Sequence, residues 1–260
     1  MPPEPETVLI TGASSGIGRE LARVFSENKS NLILVARSQS KLEDLARELR
    51  TRHGVRVSVF AKDLSETGAA EALDADLREA RLTVDVLVNN AGFGVHGSFA
   101  EINLERQRQM IQLNMLALTD FCRLLLPGMR ERGRGGILNV ASTAAFQPGP
   151  FMAVYYATKS YVLSFTEALA EELSGEPVTV TCLCPGPTRT GFAAEAEMET
   201  TPLFKTFAMD ASEVARQGYR GFRARKRLVV VGFGNKLGAF STRLAPRWVA
   251  TKLVRSLHGR

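Results

Sequence analysis

Tyr155 and Lys159 stand four residues apart in a stretch with helical periodicity. On a helix this spacing places both side chains on one face, so the ammonium lies near the phenol. An isolated phenol has a pKa near ~10, and a neighbouring cation favours the phenolate and makes the group useful in acid–base catalysis. Ser142 ends an apolar run thirteen residues upstream, where its hydroxyl can meet the same substrate oxygen. The pair alone is typical of an exposed helix face; with Ser142 and a glycine-rich turn it predicts proton transfer at a substrate oxygen.

The glycine-rich turn is TGASSGIG at 11–18, which follows an apolar strand-like run and precedes a helical segment. A strand, a glycine turn and a helix amino terminus present unpaired N–H groups and the positive end of a helix dipole to a pyrophosphate. The spacing is Gly-x3-Gly-x-Gly, and by itself it also suits a tight connection that binds nothing. As a nucleotide site it would use Gly12, Ser14, Ser15, Gly16, Ile17 and Gly18.

The same turn contains Gly-x-Ser-x-Gly, the nucleophile elbow of hydrolases, with Ser14 as the nucleophile. A hydrolase also needs an acid and then a histidine later in the chain. His53 closes a polar helix, His96 lies in a loop and His258 is two residues from the end. An elbow on the first strand would also be misplaced in a hydrolase sheet, so this interpretation is rejected.

Arg37 follows the second strand, nineteen residues after Gly18. Near this position Asp or Glu bonds the free ribose hydroxyls of NAD, whereas Arg accommodates the 2′-phosphate of NADP. The sequence therefore favours NADP(H), the alternative being a solvated charge that opens the next helix. Asp63 and Leu64 follow the third strand, where Asp63 can contact the adenine or act as a helix amino cap.

The elements that must position these residues are seven short apolar runs with helical stretches between them. Continuous β-branched runs are typical of strands covered on both faces, so the pattern predicts βαβ units in a doubly wound, mostly parallel sheet. The strands are predicted at 7–11, 31–36, 55–60, 84–89, 136–141, 178–184 and 227–232. The helices are predicted at 16–28, 40–53, 66–81, 104–131, 153–174 and 211–224, with two short helices in 235–258.

The chain closely resembles the short-chain dehydrogenase/reductase family over residues 7–232. The resemblance includes TGASSGIG, Asn89-Asn90-Ala91-Gly92, Asn114, Ser142, Tyr155 with the YATK segment at 156–159, and Pro185-Gly186. It implies a Rossmann fold with the strand order 3-2-1-4-5-6-7.

The resemblance also implies the role of each site residue. Tyr155 would be the catalytic acid–base, and Lys159 would lower its pKa and bond the nicotinamide ribose. Ser142 would orient the carbonyl, and Asn114 would hold the water of a proton relay. Tyr156 is only three residues before Lys159 and is expected to pack. The family's other cofactor contacts fall on Asn90, Ala91, Gly92, Pro185, Gly186, Thr188 and Thr190.

We therefore expect an NADP(H)-dependent oxidoreductase that acts on a carbonyl or secondary alcohol, similar to bacterial ketoacyl and steroid reductases. The alternative is a dinucleotide-binding regulatory or scaffolding protein, which would not need the complete Asn, Ser, Tyr and Lys set. Residues 191–210 are expected to cover a hydrophobic substrate or to pack on the core. The resemblance implies a homodimer or homotetramer that uses the 104–131 and 153–174 helices.

Cysteine content argues against a disulfide framework and against a metal site. Cys122, Cys182 and Cys184 are odd in number and lie in apolar stretches, which predicts buried free thiols in a reducing compartment. The amino terminus lacks the pattern of a signal peptide, and no window is long and apolar enough for a membrane span. A cytoplasmic protein is therefore expected.

Charge divides the chain into an acidic body and a basic tail. Residues 216–260 contain 12 Lys and Arg and no Asp or Glu, although the whole chain is only +6. We expect a catalytic domain at 1–232 and a basic helical extension at 233–260. Its apolar stripe, Val249, Leu253, Val254 and Leu257, would pack on the protein or a neighbouring subunit, lie on an anionic membrane, or dock an acidic carrier. No nucleic-acid module is present, so nucleic acid is not expected as a partner.

Overall fold

A computed structural model describes residues 5–191, 208–242, 244 and 246–257. Most of the expected substrate cover lies outside the described residues. Of the large apolar side chains that this cover is expected to contribute, only Met209 is described; the others are Phe192, Met198, Leu203, Phe204 and Phe207.

One seven-stranded sheet forms the centre of the molecule, and all its strand pairs are parallel. Its order is β3-β2-β1-β4-β5-β6-β9. This order confirms the predicted one, because the seventh predicted strand is β9 and the short β7 and β8 pair separately. The strands are β1 Thr7–Thr11, β2 Asn31–Ala36, β3 Val57–Ala61, β4 Val86–Asn89, β5 Gly135–Val140, β6 Val178–Cys184, β7 Thr188–Arg189, β8 Met209–Asp210 and β9 Leu228–Val230.

Helices cover both faces of the sheet, as the uninterrupted apolar strands predict. Every residue of β2 is buried. One apolar core includes residues of α1, α2 and α7, and a second includes residues of α3, α5 and α6. The α-helices are α1 Gly16–Glu27, α2 Gln39–His53, α3 Ala69–Glu79, α4 Leu104–Ile111, α5 Leu118–Glu131, α6 Ala153–Glu172, α7 Ala211–Arg223, α8 Phe233–Ser241 and α9 Arg247–Leu257.

The predicted helix 104–131 is not a regular α-helix throughout. A π-helical turn, Gln112–Ala117, joins α4 to α5 and carries Asn114. Helix α3 is also shorter than predicted, since it begins after Gly68, whose φ is +77°. The extra residue in a π-turn changes the direction of its side chains, which is why such turns are frequent at functional sites.

Helices α8 and α9 follow β9 and lie beside the carboxyl edge of the sheet. Val254 of α9 is buried in an apolar cluster that also contains Tyr155, Tyr156, Met152 and Phe93. The expected packing of the tail on the protein's own body is therefore present at this residue. Among the described residues, no helix is long and apolar enough to cross a membrane.

Candidate active site

A cleft of about 1020 Å³ runs along the carboxyl ends of the strands, the edge where open α/β sheets bind ligands. Every predicted site residue lines it except Gly18 and Asn114, which lie behind the lining. The chain thus brings together segments from β1 to β6 that are far apart in sequence. The predicted residues on its wall are Gly12, Ser14, Ser15, Gly16, Ile17, Arg37, Asp63, Leu64, Asn90, Ala91, Gly92, Ser142, Tyr155, Lys159, Pro185, Gly186, Thr188 and Thr190.

The glycine turn after β1 is held by the segment after β4. The Asn90 side-chain amide donates to the carbonyl oxygens of Thr11 at 2.9 Å and Gly12 at 3.3 Å. In return, the Thr11 hydroxyl oxygen accepts from the backbone N–H groups of Asn90 and Ala91, both at 3.0 Å. Asn90 therefore sets the shape of the turn, a positioning role that the sequence did not reveal.

Gly18 is required by this arrangement because a Cβ there would lie 2.4 Å from both the Gly12 carbonyl oxygen and the Asn90 amide nitrogen. Gly12 and Gly16 have φ values of +66° and +54°, which side chains other than glycine rarely adopt. Glycine thus stands at all three glycine positions of the Gly-x3-Gly-x-Gly turn, and the backbone itself forms the wall of the cleft.

The start of α1 fits a negatively charged phosphate group. Ser15 is the amino cap without a side-chain capping bond, and the first turn contains no acidic residue. The first N–H groups of a helix lack partners within the helix. At the start of α1 these groups are next to the cleft, where they can bind an anion. Turn and helix together make a cradle that suits the pyrophosphate of a dinucleotide.

Basic side chains line the end of the cleft beyond this cradle. Arg37 is joined there by Lys41, which lies in the first turn of α2, and by Lys62. Sequence reasoning missed Lys41, although its spacing of four from Arg37 across the start of α2 is a usable signal. This end of the cleft suits an additional phosphate group.

Asp63 lies on the same wall and forms a local turn. Its Oδ1 accepts from the backbone N–H of Ser65 at 2.9 Å and from the Ser65 hydroxyl at 2.6 Å. It is not the amino cap of α3, whose cap position is Gly68. Burial opposes ionisation of Asp63, but the Ser65 hydrogen bonds and the nearby Arg37 and Arg106 charges hold its pKa below the usual value.

Tyr155 and Ser142 meet at the other end of the cleft. Tyr155 lies in the first turn of α6 and is buried. Ser142 lies two residues after the end of β5. Burial raises the pKa of Tyr155 to about 12, and a side-chain hydrogen bond from Ser142 opposes the rise. Ser142 Oγ also accepts from the backbone N–H of Ala144 at 3.1 Å, which orients the hydroxyl. A protonated phenol and a fixed hydroxyl thus face one point.

Lys159 is buried beneath Tyr155. Its Nζ donates to the carbonyl oxygen of Val140 at 2.8 Å and lies 5.9 Å from the centre of the Tyr155 ring. Burial lowers the pKa of Lys159 to about 8, while Cys182 and Cys184 oppose the shift. The expected lowering of the tyrosine pKa is therefore not what this geometry gives. Burial dominates both groups, and the ammonium is directed at the backbone of β5.

Asn114 lies behind this pair, and its side chain hydrogen-bonds Phe93 and Thr158. Its Nδ2 donates to the Phe93 carbonyl at 3.0 Å and to the Thr158 hydroxyl at 3.1 Å, and its Oδ1 accepts from the Phe93 N–H at 3.2 Å. A Cβ on Gly92 would lie 3.0 Å from that oxygen and 3.5 Å from Lys159 Nζ. The π-turn thus holds Asn114 directly against the loop after β4.

Tyr156 lines the cleft beside Tyr155 and packs closely on Gly149. It is buried, and a Cβ on Gly149 would lie 2.2 Å from its ring. Around the two tyrosines the cleft wall is apolar, with Phe93, Met152 and Val254 among its buried members. That Tyr155 and not Tyr156 transfers the proton stays a prediction.

Asn235 is a positioning residue that sequence reasoning missed. Its Nδ2 donates to the Val231 carbonyl at 2.7 Å, and a Cβ on Gly186 would lie 2.3 Å from the same nitrogen. The glycine after β6 thus allows α8 to cross the edge of the sheet. No simple motif marks this contact in the sequence.

The cysteines behave as predicted. Cys122, Cys182 and Cys184 are all buried and free, and burial raises the pKa of Cys122 to about 12. Cys182 Sγ and Cys184 Sγ are 3.7 Å apart on β6. The residues that the structure describes contain no group of three or more His, Cys, Asp or Glu suited to a metal ion.

A family model described as short chain dehydrogenase matches residues 6–200. The chain belongs to the short-chain dehydrogenase family. It is therefore an oxidoreductase that interconverts carbonyl and CH–OH groups with a nicotinamide dinucleotide, and the glycine cradle described above fits that cofactor.

Known members of the short-chain dehydrogenase family are similar over most of this chain. The ketoacyl reductase HetN of Nostoc sp. is 34% identical over 199 residues, 76% of this chain and 69% of that protein. A very-long-chain 3-oxoacyl-CoA reductase of Phaeosphaeria nodorum is 35% identical over 185 residues, 70% of this chain and only 54% of its own length. A short-chain dehydrogenase of Sphingobium yanoikuyae, solved with NADPH, superposes with a TM-score of 0.82 at 33% identity and covers 92% of this chain and 93% of that chain.

Proposed function

We propose that this protein is an NADP(H)-dependent reductase of hydrophobic ketones, aldehydes or 3-oxoacyl thioesters. The observation that carries the proposal is the meeting of Tyr155 and Ser142 at one end of a cleft whose far end is basic. A bound nicotinamide supplies or accepts the hydride, and the protein supplies orientation and the proton.

Tyr155 is the proposed acid–base group. In reduction its hydroxyl gives a proton to the carbonyl oxygen, and in oxidation the phenolate takes the proton from the alcohol. Burial keeps this phenol protonated at neutral pH, which suits the reductive direction. Ser142 donates a hydrogen bond to the same substrate oxygen and holds the carbonyl in line with the phenol.

Lys159 and Asn114 support this step from behind. Lys159 has three N–H donors, and one of them bonds the Val140 carbonyl. Another would bond the nicotinamide ribose when the cofactor is bound. Asn114 keeps the loop after β4 against Lys159. We propose that Asn114 also holds the water of a proton relay, which reprotonates Tyr155.

Arg37 is proposed to select NADP(H) through the 2′-phosphate, with Lys41 as a second cation at the same end of the cleft. A relative solved with NADPH supports this choice. Arg37 stands where an NAD enzyme carries an acid, and no acidic residue replaces it before α2.

The apolar wall near the tyrosines supports a hydrophobic substrate, because Phe93, Met152 and Val254 would face its carbon chain. Two relatives named for ketoacyl and 3-oxoacyl substrates point the same way. A homodimer or homotetramer through α4, α5 and α6 stays a proposal from the family resemblance.

Initial rates of NADPH and NADH oxidation should be measured against a panel of aliphatic ketones, aldehydes and 3-oxoacyl thioesters. We expect turnover with NADPH that improves as the carbon chain lengthens. Tight NADPH binding without turnover of any panel member would favour the alternative, a dinucleotide-binding regulatory protein. A preference for free sugars would contradict the proposed substrate class.

A further inference from the structure

Helix α8 carries its large apolar side chains on its solvent-exposed side, whereas a helix that packs on a core buries them. Its large apolar side chains fall at i, i+4, i+7 and i+11, which is one face of a helix with 3.6 residues per turn. All of them are exposed: Phe233 by 83%, Leu237 by 60%, Phe240 by 58% and Leu244, just beyond the helix, by 75%.

The small and polar residues of α8 face the protein. Gly238, Ala239, Ser241 and Thr242 line the cleft. Helical spacing puts Gly238, Ala239 and Thr242 on the side away from Phe233, Leu237 and Phe240, with Ser241 at the border. The apolar side is thus turned away from the cleft, so binding of substrate in the cleft does not explain it.

Helix α9 presents a matching outward side. Its cleft-lining residues, Val249, Ala250, Leu253 and Val254, share one side, and Trp248, Lys252 and Arg255 fall on the other. Lys252 Nζ lies 5.2 Å from the centre of the Trp248 ring, which is 64% exposed. An indole beside cations is the composition that suits the headgroup level of a bilayer.

We propose that this outer tail surface, formed by Phe233, Leu237, Phe240, Leu244, Trp248, Lys252 and Arg255, binds the surface of an anionic lipid bilayer. Exposed apolar side chains grouped on one face mark an interaction site and not ordinary surface scatter. The apolar side of α8 enters the acyl boundary, while Trp248 and the cations of α9 meet the headgroups.

The charge of the tail indicates which partner binds the outer tail surface. Residues 233–260 contain six Lys and Arg and no Asp or Glu. A second copy seated on the same surface would bring two cationic patches together, which is unfavourable. An acidic soluble protein would match the charge but would leave Phe233 and Leu237 without an apolar counterpart. An anionic bilayer satisfies both the charge and the apolar side chains.

Trp248 allows a direct test, because it is the only tryptophan in the chain. The full-length protein should be mixed with phosphatidylcholine vesicles containing about one third phosphatidylglycerol, and its tryptophan emission and co-sedimentation recorded at low and high salt. We expect a blue-shifted emission and pelleting with these vesicles. Both should weaken as salt rises and be at least about tenfold weaker with pure phosphatidylcholine.

Two matched variants distinguish binding through this surface from nonspecific hydrophobic binding. Phe240→Glu should reduce vesicle binding at least about tenfold, whereas Phe99→Glu, at a phenylalanine that is 65% exposed outside the tail, should leave it unchanged. Lys252→Ala should weaken binding about fivefold.

Three results would overturn the proposal. The first is no response to the anionic vesicles at low salt. The second is emission that is already blue-shifted in buffer and moves with dilution alongside a dimer in sedimentation, which would show a second copy. The third is an equal response to polyglutamate, which would show an acidic polymer as the partner. None of these measurements uses cofactor or substrate, so they are independent of the proposed reaction.

Discussion

The Nζ atom of Lys159 donates a hydrogen bond to the carbonyl oxygen of Val140 at 2.8 Å. Val140 ends β5, and Ser142 follows it by two residues; Lys159 lies one helical turn after Tyr155. This bond therefore ties the helix that carries the phenol to the strand that carries the hydroxyl. Lysine acts here as a structural link between the two groups as well as a cation near the phenol.

Replacing Tyr155 by Phe should remove the transferred proton and keep the ring. We expect turnover to fall by about 10² to 10⁴-fold with NADPH affinity changed less than about twofold. Steady-state rates and a fluorescence titration of NADPH measure the two quantities. Tyr156→Phe is the control, and it should be mild because that ring packs on Gly149. Reversed effects would show that the wrong tyrosine has been placed in the mechanism.

Burial of Lys159 makes stability depend on pH with a definite sign. Its folded pKa is lowered from 10.5 to about 8, so the unfolded chain binds more protons between these values. Stability contributed by this site therefore rises with pH in that window. Between pH 7 and 9.5 the free energy of unfolding should rise by about 2 kcal/mol relative to Lys159→Met, which cannot titrate.

Urea unfolding of both proteins at several pH values measures this difference. Readings should stop near pH 9.5, since the raised pKa of Tyr155 makes the folded state lose stability above its unfolded value of 10. Parallel pH profiles for wild type and Lys159→Met would show that the lysine keeps an ordinary pKa in the folded protein.

The parallel sheet and the glycine turn were predictable from local patterns: continuous apolar strands, glycine spacing and residues at strand ends. The strand order and much of the cleft wall followed instead from the resemblance to the short-chain dehydrogenase/reductase family. The π-turn was not predictable, since Asn114 is held there by Phe93 and Thr158, 21 and 44 residues away. The pattern also predicted the apolar stripe on α9, but it did not predict which residues this stripe contacts. Only tertiary packing decides that Val254 is buried beside the tyrosines while Leu253 stays exposed.

Arg37→Ala should remove the preference for NADPH. A charge-assisted hydrogen bond to the 2′-phosphate contributes roughly 1.5 to 3 kcal/mol, so NADPH affinity should fall at least ~10-fold while NADH affinity hardly changes. Titration of both nucleotides against both proteins gives the four constants. Arg47→Ala is the control in α2, the helix that follows Arg37; this arginine pairs with exposed Asp44 at 3.1 Å and does not line the cleft. Equal affinity of the wild type for the two nucleotides would contradict the role given to Arg37.

Gly18→Ala tests whether the glycine turn is shaped by close backbone approach. The new Cβ would lie 2.4 Å from the Gly12 carbonyl oxygen, which is main chain and has little room to move, and equally close to the Asn90 amide that holds the turn. We expect a loss of at least about 2 kcal/mol in the free energy of unfolding and a loss of nucleotide affinity at least as large as that of Arg37→Ala. Gly234→Ala is the control for unfolding only, because a Cβ there meets nothing within 4 Å although the residue lines the same cleft. Urea unfolding of both variants and NADPH titration of Gly18→Ala against the wild type measure the two effects. If Gly18→Ala unfolded like the wild type and bound NADPH normally, the turn would have to relax freely, and the contact between Asn90 and the β1 loop would not set its shape.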